Sequence, residues 1–310
     1  MARTKKRSKS SLCLIAAIVI AIAGWYVYDN HWDTPPPLPQ DSVTVHFIDV
    51  GQGDAVLIAA QGQYMLIDGG ERGSENTVIN YLRQLGIDRL DYIVATHPHS
   101  DHIGGLANGI IDAFPVGTFI QPQLSEAHDT RTYERFLLAV QRNIEEHGGA
   151  ARYARVGEVI TLGDAQLTVL GPLSEDRRQL NNSSVVLRLE HGRASALFAG
   201  DAERPAERAL ANTYGERLNV CLFMAPHHGS NSSSHPEILY YAQPRYVVIS
   251  VGSYNTHGHP HPAVMERLRG TNATIYRTDI YGTIVMISDG VSFRRNTVER
   301  MLRPQNTELN

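Results

Sequence analysis

Ten consecutive residues limit what this chain can become more than any others: Thr96-His97-Pro98-His99-Ser100-Asp101-His102-Ile103-Gly104-Gly105. They follow an apolar run, Tyr92-Ile93-Val94-Ala95, that reads as a buried strand, and the glycine pair opens a further apolar segment, Gly104 to Ala113, that reads as a helix. Three imidazoles and a carboxylate therefore gather where a strand stops. Alternate side chains on extended backbone share a face, so His97 and His99 point the same way. Asp101 and His102 come after the turn and approach from another side. Neutral imidazole nitrogens with a carboxylate oxygen suit a borderline divalent ion, zinc first and manganese or iron after it. A lone loop histidine is ordinarily solvated or hydrogen-bonded, but four ligand-type residues in six positions form a metal-binding pattern.

An H-x-H-x-D-H run after an apolar strand resembles the signature of the metallo-β-lactamase superfamily. The resemblance extends through His46 to Ala55, Ile67-Asp68-Gly69-Gly70, Phe198-Ala199-Gly200-Asp201, Pro226-His227-His228-Gly229-Ser230, Tyr246 to Gly252, Gly258-His259-Pro260-His261 and Arg277-Thr278-Asp279. Together these are similar to the extracytoplasmic hydrolase domain of ComEC-type competence proteins, over roughly residues 43–290. The resemblance implies an α+β fold, a four-layer αββα sandwich of two mixed sheets with helices outside and the ligands on loops along one edge. It implies one or two divalent ions, zinc or manganese, held by His97, His99, Asp101, His102, Asp201 and one or both of His227 and His228. Asp201 occupies the place of the carboxylate that bridges two metals. Asp49, Gln52, Asp54, Asp68 and Asp279 fall on loops bordering the site and take supporting roles. Many members supply a third histidine to the first metal from the loop where this chain reads Asn181-Asn182-Ser183-Ser184. Asn182 is then expected beside the substrate with His228 and His259, and the first metal's shell is left short of one nitrogen. His191 follows closely but is expected in a hairpin turn at the far end of a strand.

The N-terminus is of another kind. Arg3, Lys5, Lys6, Arg7 and Lys9 precede Leu12 to Tyr28, 17 residues without a charge. As a helix that segment is roughly 25 Å long, just short of a bilayer's hydrocarbon core. Trp25, Tyr26 and Tyr28 at its far end suit an interfacial belt, and the basic cluster keeps the N-terminus cytoplasmic. Residues 1–10 are thus a cytoplasmic basic segment, 11–28 a transmembrane helix, 29–42 a stiff Pro-rich spacer, 43–295 the catalytic domain and 296–310 a polar tail. A cleaved signal peptide is the alternative, since Ala21-Ile22-Ala23 fits its small-x-small rule; the domain is exported either way.

Removing the five N-terminal basic residues and the two acidic ones before residue 41 leaves 23 basic and 30 acidic groups, a net charge of −7. Charge alone does not hold long nucleic acid to such a domain. Cys13 and Cys221 are the only cysteines, and one lies in the apolar segment, so no disulfide within the domain is expected.

Downstream, the spacing predicts strands over Val43–Val50, Ala55–Ala59, Tyr64–Ile67 and Gly117–Gln121, and helices over Asn76–Leu85 and Thr130–His147. A β-ribbon is expected over Arg152–Leu170, then a hairpin of Ser184–Leu189 with Ala194–Phe198, a helix over Glu203–Tyr214 and a strand over Val220–Met224. His128 and His147 lack partners at ligand spacing and are read as surface residues.

The expected activity is hydrolysis by a metal-bound hydroxide, with Asp101 orienting it and His259 binding phosphate or protonating the leaving group. The ComEC resemblance makes phosphodiesters the expected substrates, DNA foremost, and a separate uptake channel an expected partner. The alternatives are a hydrolase of another ester or a β-lactam, and a non-catalytic binding or assembly module of a DNA-uptake system.

Overall fold

Short apolar runs broken by glycine turns fold as strands in the computed structural model, which describes residues 42–124, 130–173 and 179–296. In chain order they are β1 (Val43–Phe47), β2 (Val56–Ala60), β3 (Gln63–Ile67), β4 (Leu90–Val94), β5 (Val116–Gln121) and β6 (Ala150–Tyr153). There follow β7 (Val159–Leu162), β8 (Ala165–Gly171), β9 (Val186–His191), β10 (Ala194–Phe198), β11 (Leu222–Met224), β12 (Tyr246–Ile249), β13 (Thr274–Arg277), β14 (Ile284–Ser288) and β15 (Phe293–Arg295). Eight strands form one sheet in the order β15-β14-β1-β2-β3-β4-β5-β6, and seven form the other in the order β13-β12-β11-β10-β9-β8-β7. Both are mixed: β3 to β6 run parallel, as do β10 to β13, while the remaining neighbours pair antiparallel.

Each strand alternates faces, so each sheet has two apolar faces to cover. The inner faces meet over one core, in which Val45, Phe47, Ile58 and Met65 of the first sheet are clustered with Leu167, Leu187, Phe198 and Met224 of the second. Phe47 and Phe198 lie 6.3 Å apart there, centroid to centroid. The outer face of the first sheet is covered by α1 (Glu75–Gln84), α2 (Ser100–Gly105), the π-helical turn Leu106–Ile110 and α3 (Arg131–His147). The outer face of the second is covered by α4 (Arg204–Tyr214), α5 (Pro236–Ala242) and α6 (Pro262–Arg269). The result is four layers, αββα.

Three local expectations change. The segment read as one β-ribbon divides between the sheets: β6 adds parallel to β5, whereas β7 and β8 pair antiparallel in the second sheet. His191 is the last residue of β9 and is buried against Ser288 and Asp164 rather than sitting in the turn. The helix behind the metal motif starts at Ser100, so Asp101 and His102 lie in its first turn, and the glycine pair ends it. Those glycines serve close approach. A Cβ on Gly104 would stand 2.5 Å from the Arg72 backbone nitrogen, and one on Gly105 would stand 2.1 Å from the Gly69 carbonyl oxygen. The backbone bonds Gly69 N–H to His102 O (2.8 Å) and Gly105 N–H to Gly70 O (2.9 Å) lock α2 against the end of β3.

The basic N-terminal segment, the apolar segment 11–28, the Pro-rich spacer but for Ser42, the polar tail but for Asn296, and His128 lie outside the described residues. Among the described residues no helix is long and apolar enough to cross a membrane.

Candidate metal centre

Four strand ends bring the ligand-type side chains together. β4 delivers His97 and His99, and the first turn of α2 adds Asp101 and His102. β10 ends in Ala199-Gly200-Asp201. Gly200 has φ +50° and lies so close to Thr96 and Ser184 that a Cβ would meet each at 2.9 Å, which seats Asp201 beside β4; its N–H donates to Ser184 Oγ at 3.1 Å. β11 leads into Pro226-His227-His228-Gly229, where both histidines adopt left-handed backbone, φ +54° and +55°. Two successive non-glycine residues in that region cost roughly 1–2 kcal/mol each, a strain of the kind that gathers at functional sites.

The side chains form two sets that share Asp201. One comprises Asp101, His102, Asp201 and His228; the other comprises His97, His99 and Asp201. In the first, His102 Nε2 is 3.1 Å and His228 Nε2 3.7 Å from Asp201 Oδ1, and His228 Nε2 is 3.2 Å from Asp101 Oδ2. In the second, His97 Nε2 is 3.6 Å from Asp201 Oδ2 and 3.0 Å from His99 Nδ1. His227 Nε2 lies 3.5 Å from the same Oδ2. His97, His102, Asp201 and His228 are almost wholly buried, while Asp101 and His227 face the opening.

A divalent cation fits this donor set. His102 Nε2 and Asp201 Oδ1 are buried and face each other at 3.1 Å out of hydrogen-bond geometry, the arrangement of two ligand atoms around an ion. Electrostatics point the same way. Burial works against charge on His102, yet Asp201 and Asp68 hold its pKa well above the ordinary histidine value. His228 is pushed to about 10 by Asp201 and Asp54, also against burial. Asp201 resists the upward push of burial, and His102, His228 and His97 hold it well below the carboxylate range. His97 lies in the opposite sense: burial, then the neighbouring His102, lowers its pKa and leaves a neutral imidazole. The cluster is a focus of negative charge suited to a cation.

Behind the ligands stands a layer that orients them. Asp68 is fully buried at φ +58° and accepts from Thr96 N–H (2.8 Å), Thr96 Oγ1–H (2.6 Å) and His102 Nδ1–H (2.8 Å). Asp54 Oδ1 is 3.2 Å from His228 Nδ1, which also reaches the Ser250 carbonyl at 3.1 Å. Each imidazole so held presents Nε2 to the shared carboxylate. Thr96 and Ser250 were not singled out in the sequence; Thr96 precedes His97 directly, the only local sign of its role.

Other expected site residues fall elsewhere. Asn182 is buried and its amide is engaged at both ends, donating to Gln179 and accepting from Glu203 N–H, so it holds its loop against the start of α4. Asp279 is gripped by Arg277 through both oxygens. Asp49 accepts from Gly51 N–H, and Gln52 accepts from Gly252 N–H, tying two rim loops together. His259 stands over the opening, its ring 5.6 Å from that of His227 and 6.4 Å from that of His228.

Two sheets packed face to face, with paired His/Asp sets on their strand-end loops, define a metallohydrolase-type fold. Comparison bears on the class: the profile of the metallo-β-lactamase superfamily matches residues 48–253, and the chain belongs to that superfamily. It is 32% identical over 260 residues to ComE operon protein 3 of Bacillus subtilis (strain 168), covering 77% of this chain and 32% of that protein. It is 29% identical over 269 residues to competence protein ComA of Neisseria gonorrhoeae, covering 86% and 34%. A third relative is recombination protein 2 of Haemophilus influenzae, 30% identical over 245 residues, covering 77% and 28%. These relatives are ComEC-like competence proteins, and the chain spans about a third of their length. Among solved structures, the metallo-β-lactamase fold protein YhfI of Bacillus subtilis superposes with a TM-score of 0.52 at 11% identity, over 79% of this chain and all of that one. CmlA of Streptomyces venezuelae, a diiron β-hydroxylase, gives 0.51 at 18%, over 81% and 55%. Those two likenesses concern the fold.

Proposed function

We propose that this domain is a metal-dependent phosphodiesterase, with DNA first among its substrates, held outside the cytoplasm by its N-terminal segment. The sharing of Asp201 between two ligand sets carries the reading. Divalent ions held by Asp101, His102, Asp201 and His228, and by His97, His99 and Asp201, supply Lewis acidity, acidify water and neutralise charge on a phosphoryl group. Zinc suits the imidazole-rich donors, with manganese second.

The protein's own groups do the rest. Asp101 is the least buried carboxylate of the cluster, and His228 and His102 hold its pKa well below the usual range against the effect of burial. It is ionised at neutral pH and able to orient a water molecule by accepting a hydrogen bond from it. His259 is lowered to about 4 by burial and by the neighbouring His228 and His227. A neutral imidazole there donates an N–H to a phosphate oxygen, and this replaces the expectation of a protonated acid at the leaving group.

The choice of phosphodiesters over other esters or β-lactams rests on the competence-protein relatives. The basic cluster and the 17-residue uncharged run support an anchor, and the competence-protein relatives support a DNA-uptake channel as partner. The test is turnover by the full chain, loaded with zinc or manganese, of a bis-nitrophenyl phosphodiester, single-stranded DNA and a chromogenic β-lactam in parallel. Metal-dependent diester cleavage lost in Asp101→Ala is expected. Cleavage of the β-lactam alone, or diester cleavage indifferent to chelator, would refute the reading.

A further inference from the structure

We infer that His227 supplies the missing nitrogen of the first metal, in place of the histidine that the Asn182 loop lacks, and that the ion it completes is the looser of two. The inference rests on the reading of the cluster as a metal centre. Its observation is the division of labour at Asp201: Oδ1 faces His102 and His228, and Oδ2 faces His97 and His227. The four imidazoles sort two and two, one pair to each oxygen of the shared carboxylate. Neighbouring histidines of one loop thereby serve opposite sides.

Asn182 cannot do this work. Both ends of its amide are spent within its own loop and on the start of α4. His227, by contrast, is prepared for it. Its Nδ1 lies 3.2 Å from Ser232 Oγ and 3.6 Å from Glu203 Oε1, and Glu203 is itself held by the Asn181 amide at 3.2 Å. A carboxylate and a hydroxyl on that side fix the ring through Nδ1 and turn Nε2 toward Asp201 Oδ2 at 3.5 Å, where a cation would be held by both. The same holds for His97, whose Nδ1 is 3.1 Å from Thr96 Oγ1 and whose Nε2 faces the same oxygen. The Asn181–Asn182 loop, where the ligand is absent, is thus the loop that steers its substitute through Glu203.

The looseness also follows from the structure. The second set brings two carboxylates and two buried imidazoles. The first brings only Oδ2 of Asp201, already shared, with His97, the partly buried His99 and His227, whose side chain is 21% exposed. Less negative charge and easier access for water both weaken the hold on a cation.

The test is titration of manganese, and separately zinc, into the full chain purified in detergent and stripped of metal, read by calorimetry and by the manganese paramagnetic signal. Two steps are expected, a tight and a weak one, with spin coupling between the ions once the weak site fills. His227→Gly suits the left-handed backbone at that position. It is expected to keep the tight step, which certifies a folded site, and to lose the coupled signal with at least a tenfold weakening of the second step. A single step in the wild type, or a second step unchanged in His227→Gly, overturns the inference and leaves the metal centre standing. Absence of any tight step overturns both.

Discussion

Asp68→Asn isolates one bond. Asparagine tolerates the left-handed backbone at φ +58° and has the same shape, so the substitution changes hydrogen-bond chemistry and little else. Asp68 Oδ1 accepts from Thr96 N–H, while Oδ2 accepts from Thr96 Oγ1–H and His102 Nδ1–H. An amide keeps its oxygen on the backbone N–H and turns its NH2 toward His102. Nδ1 must then become an acceptor, and the proton moves to Nε2, the atom that faces Asp201 Oδ1 at 3.1 Å. That tautomer opposes the ion, which has to displace a proton the substitution favours on Nε2. A charge-assisted bond of this kind is worth about 1.5–3 kcal/mol. Loss of the partner behind a ligating histidine typically costs 10–100-fold in metal affinity, or about 1.4–2.7 kcal/mol, so the two estimates agree. Competition with a chromophoric chelator measures the affinity of the tight site, and thermal melting of the metal-free protein reads the fold. An affinity within about twofold of the wild type, in a variant that melts cooperatively, would refute the orienting role argued for Asp68.

Ion binding at the set containing His102 and His228 should expel about two protons at pH 7, read from calorimetry in buffers of different ionisation enthalpy. His228 is raised to about 10, so its share of the release persists through pH 8 and vanishes as pH passes 10; the stability it lends the metal-free fold is full below the ordinary histidine value and is lost over the same rise. Glu207 is buried with both oxygens accepting backbone N–H groups, from Ser234 and His235, so Glu207→Gln sets an NH2 against one of them and should cost about 1–3 kcal/mol, a drop of several degrees in Tm. Gly105→Ala drives a Cβ to 2.1 Å from the Gly69 carbonyl, backbone against backbone, and should abolish the tight metal step or the fold itself; an unaltered metal titration would show that α2 can move away from β3.

The motif at residues 97–102 was legible because its chemistry is local: four ligand types within six positions need no tertiary information. Asp201 and the His227-His228 pair were legible only through resemblance, since nothing in Gly-Asp or Pro-His-His-Gly alone separates a ligand from a turn. Asp54 and Asp68 behind them were placed by the resemblance, but the histidine each one holds was hidden. His102 meets Asp68 across 34 residues of chain through the pairing of β3 with β4, and His228 meets Asp101 across 127 through the packing of the two sheets. Asn182 misled for a related reason. Its place in the family pattern suggested substrate, while its amide was already committed to Gln179 and Glu203, partners a pattern does not display. The ribbon that split between sheets failed likewise, because β6 and β7 read alike in sequence and differ only in which sheet edge they reach.

The charges then decide in what order the site can work. Asp54, Asp68, Asp101 and Asp201 converge here, and among the described residues no arginine side chain is ion-paired or hydrogen-bonded to any of them. Residues 41–310 contain no lysine and carry a net −7. A phosphodiester anion approaching the bare site meets repulsion from the cluster and gains nothing from the surface around it. Two divalent cations would offset the four carboxylates, leaving the cluster near neutral and giving an anion a cation to meet at a carboxylate-lined opening. On the proposed reading, metal is then as much a condition of substrate binding as of hydrolysis: such a domain need not hold its substrate by surface charge, because the ions offset the carboxylates at the one place where an anion has to approach.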